Sequence, residues 1–256
     1  MSEYDFITSV IRYSFSGVTT FENCPHGFKL AYIDAEDRSP NYWGERGSLI
    51  HDVLGKYYSN KLDFFELSSY YEKKYPEVIT TTPPPFIKVD YFSEDMEFLN
   101  NLSFDMDQYK IIKVEEKQTL FLPNGVETAY IADLILEDLS NGEIVIVDHK
   151  TANPFKNKKL DTTKIADYEK QLNLYAFFVE NTNDIKINRL EIWFTKDNYK
   201  HSAPCTEETK LSAYNWFVDA IEKIKNEAEF APNLDKSNKF FCQNLCGTRE
   251  NCEYKL

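Results

Sequence analysis

At 256 residues, 42% of them hydrophobic, the chain is long enough for one large domain, or one domain with an elaboration, around an ample core. Its net charge of −13 argues against a generic polyanion-binding surface, while leaving room for a locally basic path beside an acidic site. No apolar run approaches the roughly 18 residues of a membrane span, and the N-terminus has no basic stretch leading into an apolar one, so a cytoplasmic protein without a membrane anchor is expected.

In chain order, residues 14–34 begin with a short helix that Ser16 or Thr19 can cap, running through Phe21 and Glu22; Cys24-Pro25 and an aromatic-rich segment follow. Residues 44–60 read as a helix in which Gly47, Ile50, His51, Leu54 and Tyr58 form one continuous face. His51 therefore points inward, where a lone histidine is usually a satisfied core residue, and Gly47 one turn earlier leaves room for something to approach it. His51-Asp52 also matches the dipeptide of HD-type metal phosphohydrolases, a reading that wants further histidines; only His26, His149 and His201 remain. Residues 61–108 show no clean period and are broken by Thr80-Thr81-Thr82-Pro83-Pro84-Pro85, so they read as an elaboration, a mobile flap or a substrate-guiding insertion.

Residues 109–122 read as a strand in which neighbouring Glu115 and Glu116 point to opposite faces. Pro123-Asn124-Gly125 turns the chain into a second strand, Glu127–Glu137, apolar on both faces and so expected to be buried on both sides. Asn141-Gly142 is a strong hairpin signal with positive φ expected at both positions. The third strand, Glu143–Lys150, ends in Asp148-His149-Lys150. Residues 152–168 are a polar loop carrying the best basic segment of the chain, Lys156, Lys158, Lys159 and Lys164, which as readily reads as a solvated loop. A helix over 168–180 places Gln171 and Tyr175 four apart on one face. A strand over 188–196 and an amphipathic helix over 206–228, with Leu211, Tyr214, Phe217, Ile221 and Ile224 on one side, complete the pattern.

Asp133 and Asp148 are two carboxylates near one end of the hairpin, and period two puts Asp148 and Lys150 on the same face. Close carboxylates repel unless something cationic sits between them. Mg²⁺ does this with oxygen ligands, and a lysine beside it can hold or polarise an attacking water. One of Glu115 and Glu116 can face the same site, and an amide and a phenol at Gln171 and Tyr175 could orient a phosphate or the lysine. The odd count of five cysteines argues against a disulfide framework, and Cys242, Cys246 and Cys252 crowd the last fifteen residues. A free cysteine such as Cys24 is most often a small buried hydrophobe.

The order helix, three strands, helix, strand, with Gly47…His51, Glu115, Asp133, Asp148-x-Lys150 and Gln171-x₃-Tyr175 along it, resembles the PD-(D/E)XK nuclease superfamily and, within it, the RecB-like exonuclease branch. FENCPHGFKLAY resembles the N-terminal segment of that branch, and the likeness spans roughly residues 14–252, with 61–108 poorly covered. The resemblance implies an α/β (α+β) fold with a restriction-endonuclease-like core: a central mixed β-sheet flanked by helices in the order α-β-β-β-α-β, with helical N- and C-terminal elaborations. It implies a single nuclease domain over residues 1–256, its core about 44–60 and 109–200, with segments 14–34 and 205–256 joined by a metal cluster. The implied activity is that of a Mg²⁺- or Mn²⁺-dependent DNA nuclease, chiefly an exonuclease on single strands or DNA ends.

The roles it implies are specific. Asp133, Asp148 and the His149 carbonyl hold the ion, and His51 and Glu115 complete its ligands or hold a second one. Lys150 activates the water, Gln171 and Tyr175 orient the phosphate or Lys150, and Lys156, Lys158, Lys159 and Lys164 line the DNA path. Several members, among them the AddB nuclease and the CRISPR-adaptation nucleases, hold a [4Fe–4S] cluster on one N-terminal and three C-terminal cysteines. Cys24, Cys242, Cys246 and Cys252 match those positions, with C-x₃-C-x₅-C here where C-x₂-C-x₅-C is common; structural Zn²⁺ on the same thiolates is the alternative. Recombination, repair, phage replication and CRISPR adaptation, each with its protein partners, all fit. A non-catalytic DNA-binding scaffold and an HD-type phosphohydrolase acting on nucleotides are the rival readings.

Overall fold

The computed structural model describes residues 4–183 and 185–256. Helices α1 (Asp5–Val10), α2 (Phe15–Asn23), α3 (Pro25–Phe28), α4 (Tyr42–Tyr58), α5 (Leu67–Val78) and α6 (Tyr91–Asn100) come first. Strands β1 (Tyr109–Phe121), β2 (Glu127–Asp138) and β3 (Glu143–Lys150) follow, then the short β4 (Phe155–Lys156) and β5 (Lys159–Leu160). Helix α7 (Thr162–Thr182), strands β6 (Arg189–Phe194) and β7 (Lys200–Pro204) and helix α8 (Glu207–Asn226) complete the order.

The chain divides into two compact units. One comprises Glu45–Lys117 and Ile131–Tyr214; the other comprises residues up to Gly44, Gln118–Tyr130 and Asn215–Leu256. A five-stranded sheet has the order β1-β2-β3-β6-β7. β3 is antiparallel to β2 and parallel to β6, and β6 is antiparallel to β7, so the sheet is mixed. A parallel pair needs a crossover, and α7 supplies it between β3 and β6. Apolar runs in β2 and β3 place Leu134, Leu136, Val145 and Val147 against Leu49, Ile50, Val53 and Leu54 of α4 in one cluster. β3 is buried from Val145 to His149, which is why its charged end has to be matched locally.

In the other unit Tyr13 bridges to the start of β2, its amide bonding the Glu127 carbonyl at 2.9 Å and its carbonyl taking the Ala129 amide at 2.8 Å. The rings of Phe28 and Phe230 stack there at 6.2 Å, with Phe21 edge-on to both.

Several sequence expectations change in the structure. Ser14, not Ser16 or Thr19, caps α2, accepting from the Gly17 amide. Residues 61–108 form α5 and α6, with Leu67, Tyr71, Phe98 and Leu99 buried in the same cluster as α4. The β2–β3 turn carries positive φ at Gly142 alone; the loop takes four residues and its Gly142 amide bonds the Asp138 carbonyl at 2.7 Å. The two-residue turn with two positive φ angles lies instead at Asn157 (52°) and Lys158 (63°), between β4 and β5. Ile131 is 46% exposed, so β2 is not covered on both faces along its whole length. α7 starts at Thr162, six residues before the expected Tyr168, because Asp161 caps it by accepting from the Lys164 amide. β7 is an additional edge strand, and Leu211 on α8 faces solvent while Phe217, Ile221 and Ile224 are buried. Among the described residues no helix is long and apolar enough to cross a membrane.

Candidate active site

Antiparallel pairing sets Leu134 opposite Val147, so the next residues, Asp133 and Asp148, meet at one end of the hairpin. Asp133 Oδ2 accepts from the His149 amide at 2.7 Å and lies 3.7 Å from His149 Nδ1. Its Oδ1 lies 3.4 Å from His51 Nδ1, and His51 Nε2 is 3.0 Å from the His149 carbonyl. The helical histidine thus touches both strand ends of the hairpin. His149 itself turns to the α4 side, where Tyr58 stacks on it and the Tyr58 hydroxyl sits 3.0 Å from its Nε2.

Asp148 and Lys150 share the opposite face, with Lys150 Nζ 2.7 Å from Asp148 Oδ2. The approach is off-line, and this buried oxygen makes no well-formed hydrogen bond. Lys150 Nζ also donates to Gln171 Oε1 at 3.2 Å, and Gln171 Nε2 donates to the Tyr175 hydroxyl at 3.2 Å. The i, i+4 spacing on α7 thus becomes a hydrogen-bonded line ending on Lys150. Tyr168, three residues before Gln171, places its ring 4.7 Å under the ammonium. The i, i+3, i+7 spacing of Tyr168, Gln171 and Tyr175 carried that signal in the sequence.

Of the two candidate glutamates, Glu115 is the one that turns inward, its Oε1 3.9 Å from His51 Nδ1. It does so from a left-handed backbone (φ 44°) in the middle of β1, a conformation that L residues adopt only when the surroundings hold them there. Gly55 on α4 makes the room: a Cβ there would stand 2.7 Å from Glu115 Oε2. An open groove of about 250 Å³, lined in part by Lys56, Ser59 and Lys61, ends at Glu115.

Burial disfavours the charged form of His51, but the hydrogen bond and charge of Asp133, helped by Asp148, outweigh it and raise His51 to about 9. Burial also opposes ionisation of Asp133, yet its bonds to His149 and His51 hold the carboxyl far below the usual range. Asp148 moves the other way: burial and then the Asp133 charge raise it, against Lys150. Burial and mutual repulsion thus fall on Asp148, while Asp133 keeps its charge. Burial pushes Tyr175 up to about 12, so its phenol stays protonated.

Among the described residues no set of three or more His, Cys, Asp or Glu side chains is arranged to hold a metal ion as it stands. The donors are instead satisfied by one another: His51 lies against Asp133 and the His149 carbonyl, and Lys150 against Asp148. The donor set of carboxylates, imidazole and carbonyl, with Asp148 Oδ2 held 2.7 Å from the Lys150 ammonium, fits a hard divalent ion. Lys156, Lys158 and Lys159 lie exposed on the β4–β5 hairpin just beyond Lys150, while Lys164 folds back to donate to the Asn153 carbonyl at 2.9 Å.

In the other unit, Cys24 and the three C-terminal cysteines draw together. A Cβ on Gly27 would lie 3.8 Å from both Cys24 Sγ and Cys246 Sγ. Burial raises the Cys252 thiol, and so do the charges of Cys242, Cys246 and Cys24 around it. Backbone amides already point at two of the sulfurs: Gly27 and Asn233 at Cys24, and Leu256 at Cys242, each at 3.4 Å. Cys205 stands apart in the unit of the carboxylate site, its thiol pushed up to about 12 by burial.

Comparison with solved structures finds this fold again in the crystal structure of a provisionally assigned exonuclease from Eubacterium rectale. The two share 16% identity over 97% of this chain and 90% of that one, with a TM-score of 0.56. At that identity the likeness speaks for the fold: a restriction-endonuclease-like mixed sheet flanked by helices. The crystal structure of SSO0001, 12% identical over 91% of this chain and 96% of that one, superposes only to a TM-score of 0.36 and carries no argument. No curated protein matches the chain. A family model, described as the PD-(D/E)XK nuclease superfamily, matches residues 12–255. The chain belongs to that superfamily, and it is a nuclease.

Two consequences are measurable without catalysis. The folded pKa of His51 lies above its unfolded value, so its contribution to stability is complete below about pH 6.5 and is lost as pH rises through about 9. In EDTA the melting temperature should therefore fall across that window, and His51→Gln should flatten the fall. At position 115 the backbone strain remains with alanine and is relieved with glycine. Glu115→Gly should be more stable to urea than Glu115→Ala by about 1 kcal/mol, and Gly55→Ala should gain about 0.5–1 kcal/mol of helix propensity while displacing the Glu115 carboxylate.

Proposed function

We propose that the chain is a Mg²⁺- or Mn²⁺-dependent deoxyribonuclease of the RecB-like branch, acting as an exonuclease on single-stranded or frayed DNA ends, with the whole chain serving as one nuclease. The observation that carries this reading is the line from Asp133 and Asp148 through Lys150 to Gln171 and Tyr175, with one buried Asp148 oxygen left without a well-formed hydrogen bond. The exonuclease assignment of the Eubacterium rectale protein supports the choice of ends over internal sites.

Asp133, Asp148 and the His149 carbonyl would hold the ion, with His51 and Glu115 at its open side. When bound, it lowers the pKa of water and neutralises charge on the phosphate. The chain's own residues do the rest. Lys150, held by Asp148 and Gln171, orients the attacking water. Tyr175 fixes the amide of Gln171, and Tyr168 keeps the ammonium over its ring. Lys156, Lys158 and Lys159 on the β4–β5 hairpin, and Lys61 in the groove that Glu115 also lines, offer phosphate contacts, while Lys56 is paired with Asp52. For the HD-type reading the site offers His51 and His149 alone among the described residues, and the His149 ring is turned to Tyr58: His201 pairs with Glu169 at 2.7 Å and His26 lies against Tyr254.

The four converging cysteines support a [4Fe–4S] cluster that joins the two ends of the chain within their own unit, with zinc as the other ion such thiolates take. Amide bonds to the sulfurs are compatible with the negative charge of bound thiolates.

Cleavage of end-labelled linear single-stranded DNA should need Mg²⁺ or Mn²⁺, stop with EDTA, and fall by about 10³-fold or more in Asp148→Asn and Lys150→Ala. Circular single strands should survive; their cleavage would make the enzyme an endonuclease. Full activity in Asp148→Asn would sink the site. Anaerobic purification should give a brown protein absorbing near about 400 nm, with four irons lost in Cys246→Ser. A colourless protein with one zinc would assign the thiolates to zinc.

A further inference from the structure

We infer that Arg46 is a positioning residue for the nuclease site, and that the inserted segment 61–108 is the brace that holds it. The inference rests on the reading of Lys150 as an active-site group.

Arg46 and Asp95 are 2% and 0% exposed, although one sits on α4 and the other on α6 within the insertion. Arg46 Nε donates to Asp95 Oδ2 at 2.7 Å and Nη2 to Asp95 Oδ1 at 2.5 Å, a two-pronged pair. Tyr71, from α5 of the same insertion and fully buried, donates to Asp95 Oδ2 at 2.7 Å. Nη1 of Arg46 reaches the other way and donates to the Thr151 carbonyl at 2.9 Å. Thr151 follows Lys150 directly, and the Lys150 carbonyl takes the Thr195 amide at 3.0 Å. Two successive carbonyls at the end of β3 are thus gripped, one by the end of β6 and one by Arg46. A five-residue step along α4 from Arg46 leads to His51.

The neighbouring residue is fastened to the insertion as well. The Glu45 carboxylate accepts from the Thr80 amide at 3.2 Å, the Thr81 amide at 3.0 Å and the Thr81 hydroxyl at 2.6 Å. With Leu67, Tyr71, Phe98 and Leu99 in the core, the insertion is a fixed support rather than a flap.

A buried ion pair is a poor device for stability, because removing two charges from water costs about as much as their attraction returns. Its planar fork is a good device for fixing geometry: five donors in one plane, directed at two partners from different segments. The carbonyl of Thr151 needs a donor at that spot, and an apolar pair cannot supply one.

The test is the double variant Arg46→Met/Asp95→Leu beside wild type and Arg46→Lys. The apolar pair restores packing without a donor for Thr151. Expected are a melting temperature somewhat below wild type, because the Thr151 carbonyl and the Tyr71 hydroxyl lose buried partners, faster amide deuterium exchange across residues 150–154, and a kcat for metal-dependent cleavage lowered about 10- to 100-fold with KM little changed. Exchange and kcat at wild-type levels in the folded variant would overturn the inference. Where the double variant does not fold, Arg46→Lys decides: it keeps the charge beside Asp95 but cannot reach both partners, so exchange at 150–154 should still rise, and unchanged exchange overturns the brace. A wild type that cleaves nothing would sink the nuclease site, while the exchange comparison would still judge the brace.

Discussion

Everything at this site follows from one electrostatic constraint: two carboxylates and an ammonium sit at the buried end of an apolar hairpin. Isolated charges there would be prohibitive, so each must be met by another group. Asp133 is met by two histidines and an amide, and it stays ionised. Asp148 is met by Lys150, whose charge works against burial and the Asp133 charge, and burial still raises its pKa. The hairpin thus concentrates the cost of burial on one carboxylate. On the proposed reading, that is the carboxylate a small hard cation would relieve.

The supporting elements extend the same logic outward. α7 contributes an amide and an aromatic face that hold the ammonium without neutralising it, and a phenol that fixes the amide. α4 contributes the histidine, and Gly55 gives way to a third carboxylate. The strained backbone at Glu115 is informative because it coincides with the side chain that faces His51. Strain of this kind persists where a side chain must be presented at one place.

The strands and the carboxylate–lysine pattern were legible because period two is a short-range property: Asp148 and Lys150 must share a face in any strand. The same holds for Gln171 and Tyr175 at helical spacing. What stayed hidden depended on distant partners. Nothing around Arg46 announces Asp95, 49 residues away in a segment whose aromatic residues and internal Pro76 obscure the helical period. Which of Glu115 and Glu116 turns inward depends on one φ angle that no periodicity encodes. β7 is hidden because Lys200–Pro204 is a short, polar edge strand, and Leu211 reads as inward because a helical face drawn from one period ignores how far the neighbouring layer extends.

An acidic nuclease poses a last physical question, since a chain of net charge −13 repels a polyanion at long range. The described structure answers with locality. Lys156, Lys158 and Lys159 stand exposed on the β4–β5 hairpin that follows Lys150 in the chain, and Lys61 lines a groove that Glu115 also lines. Screening confines surface charge to about 8–10 Å at ordinary ionic strength, so a strand at the site feels these lysines and a bound ion more than the distant acids. On the proposed exonuclease reading, in which successive nucleotides pass through one site, attraction confined to the site lets a cleaved nucleotide leave and the next phosphate take its place.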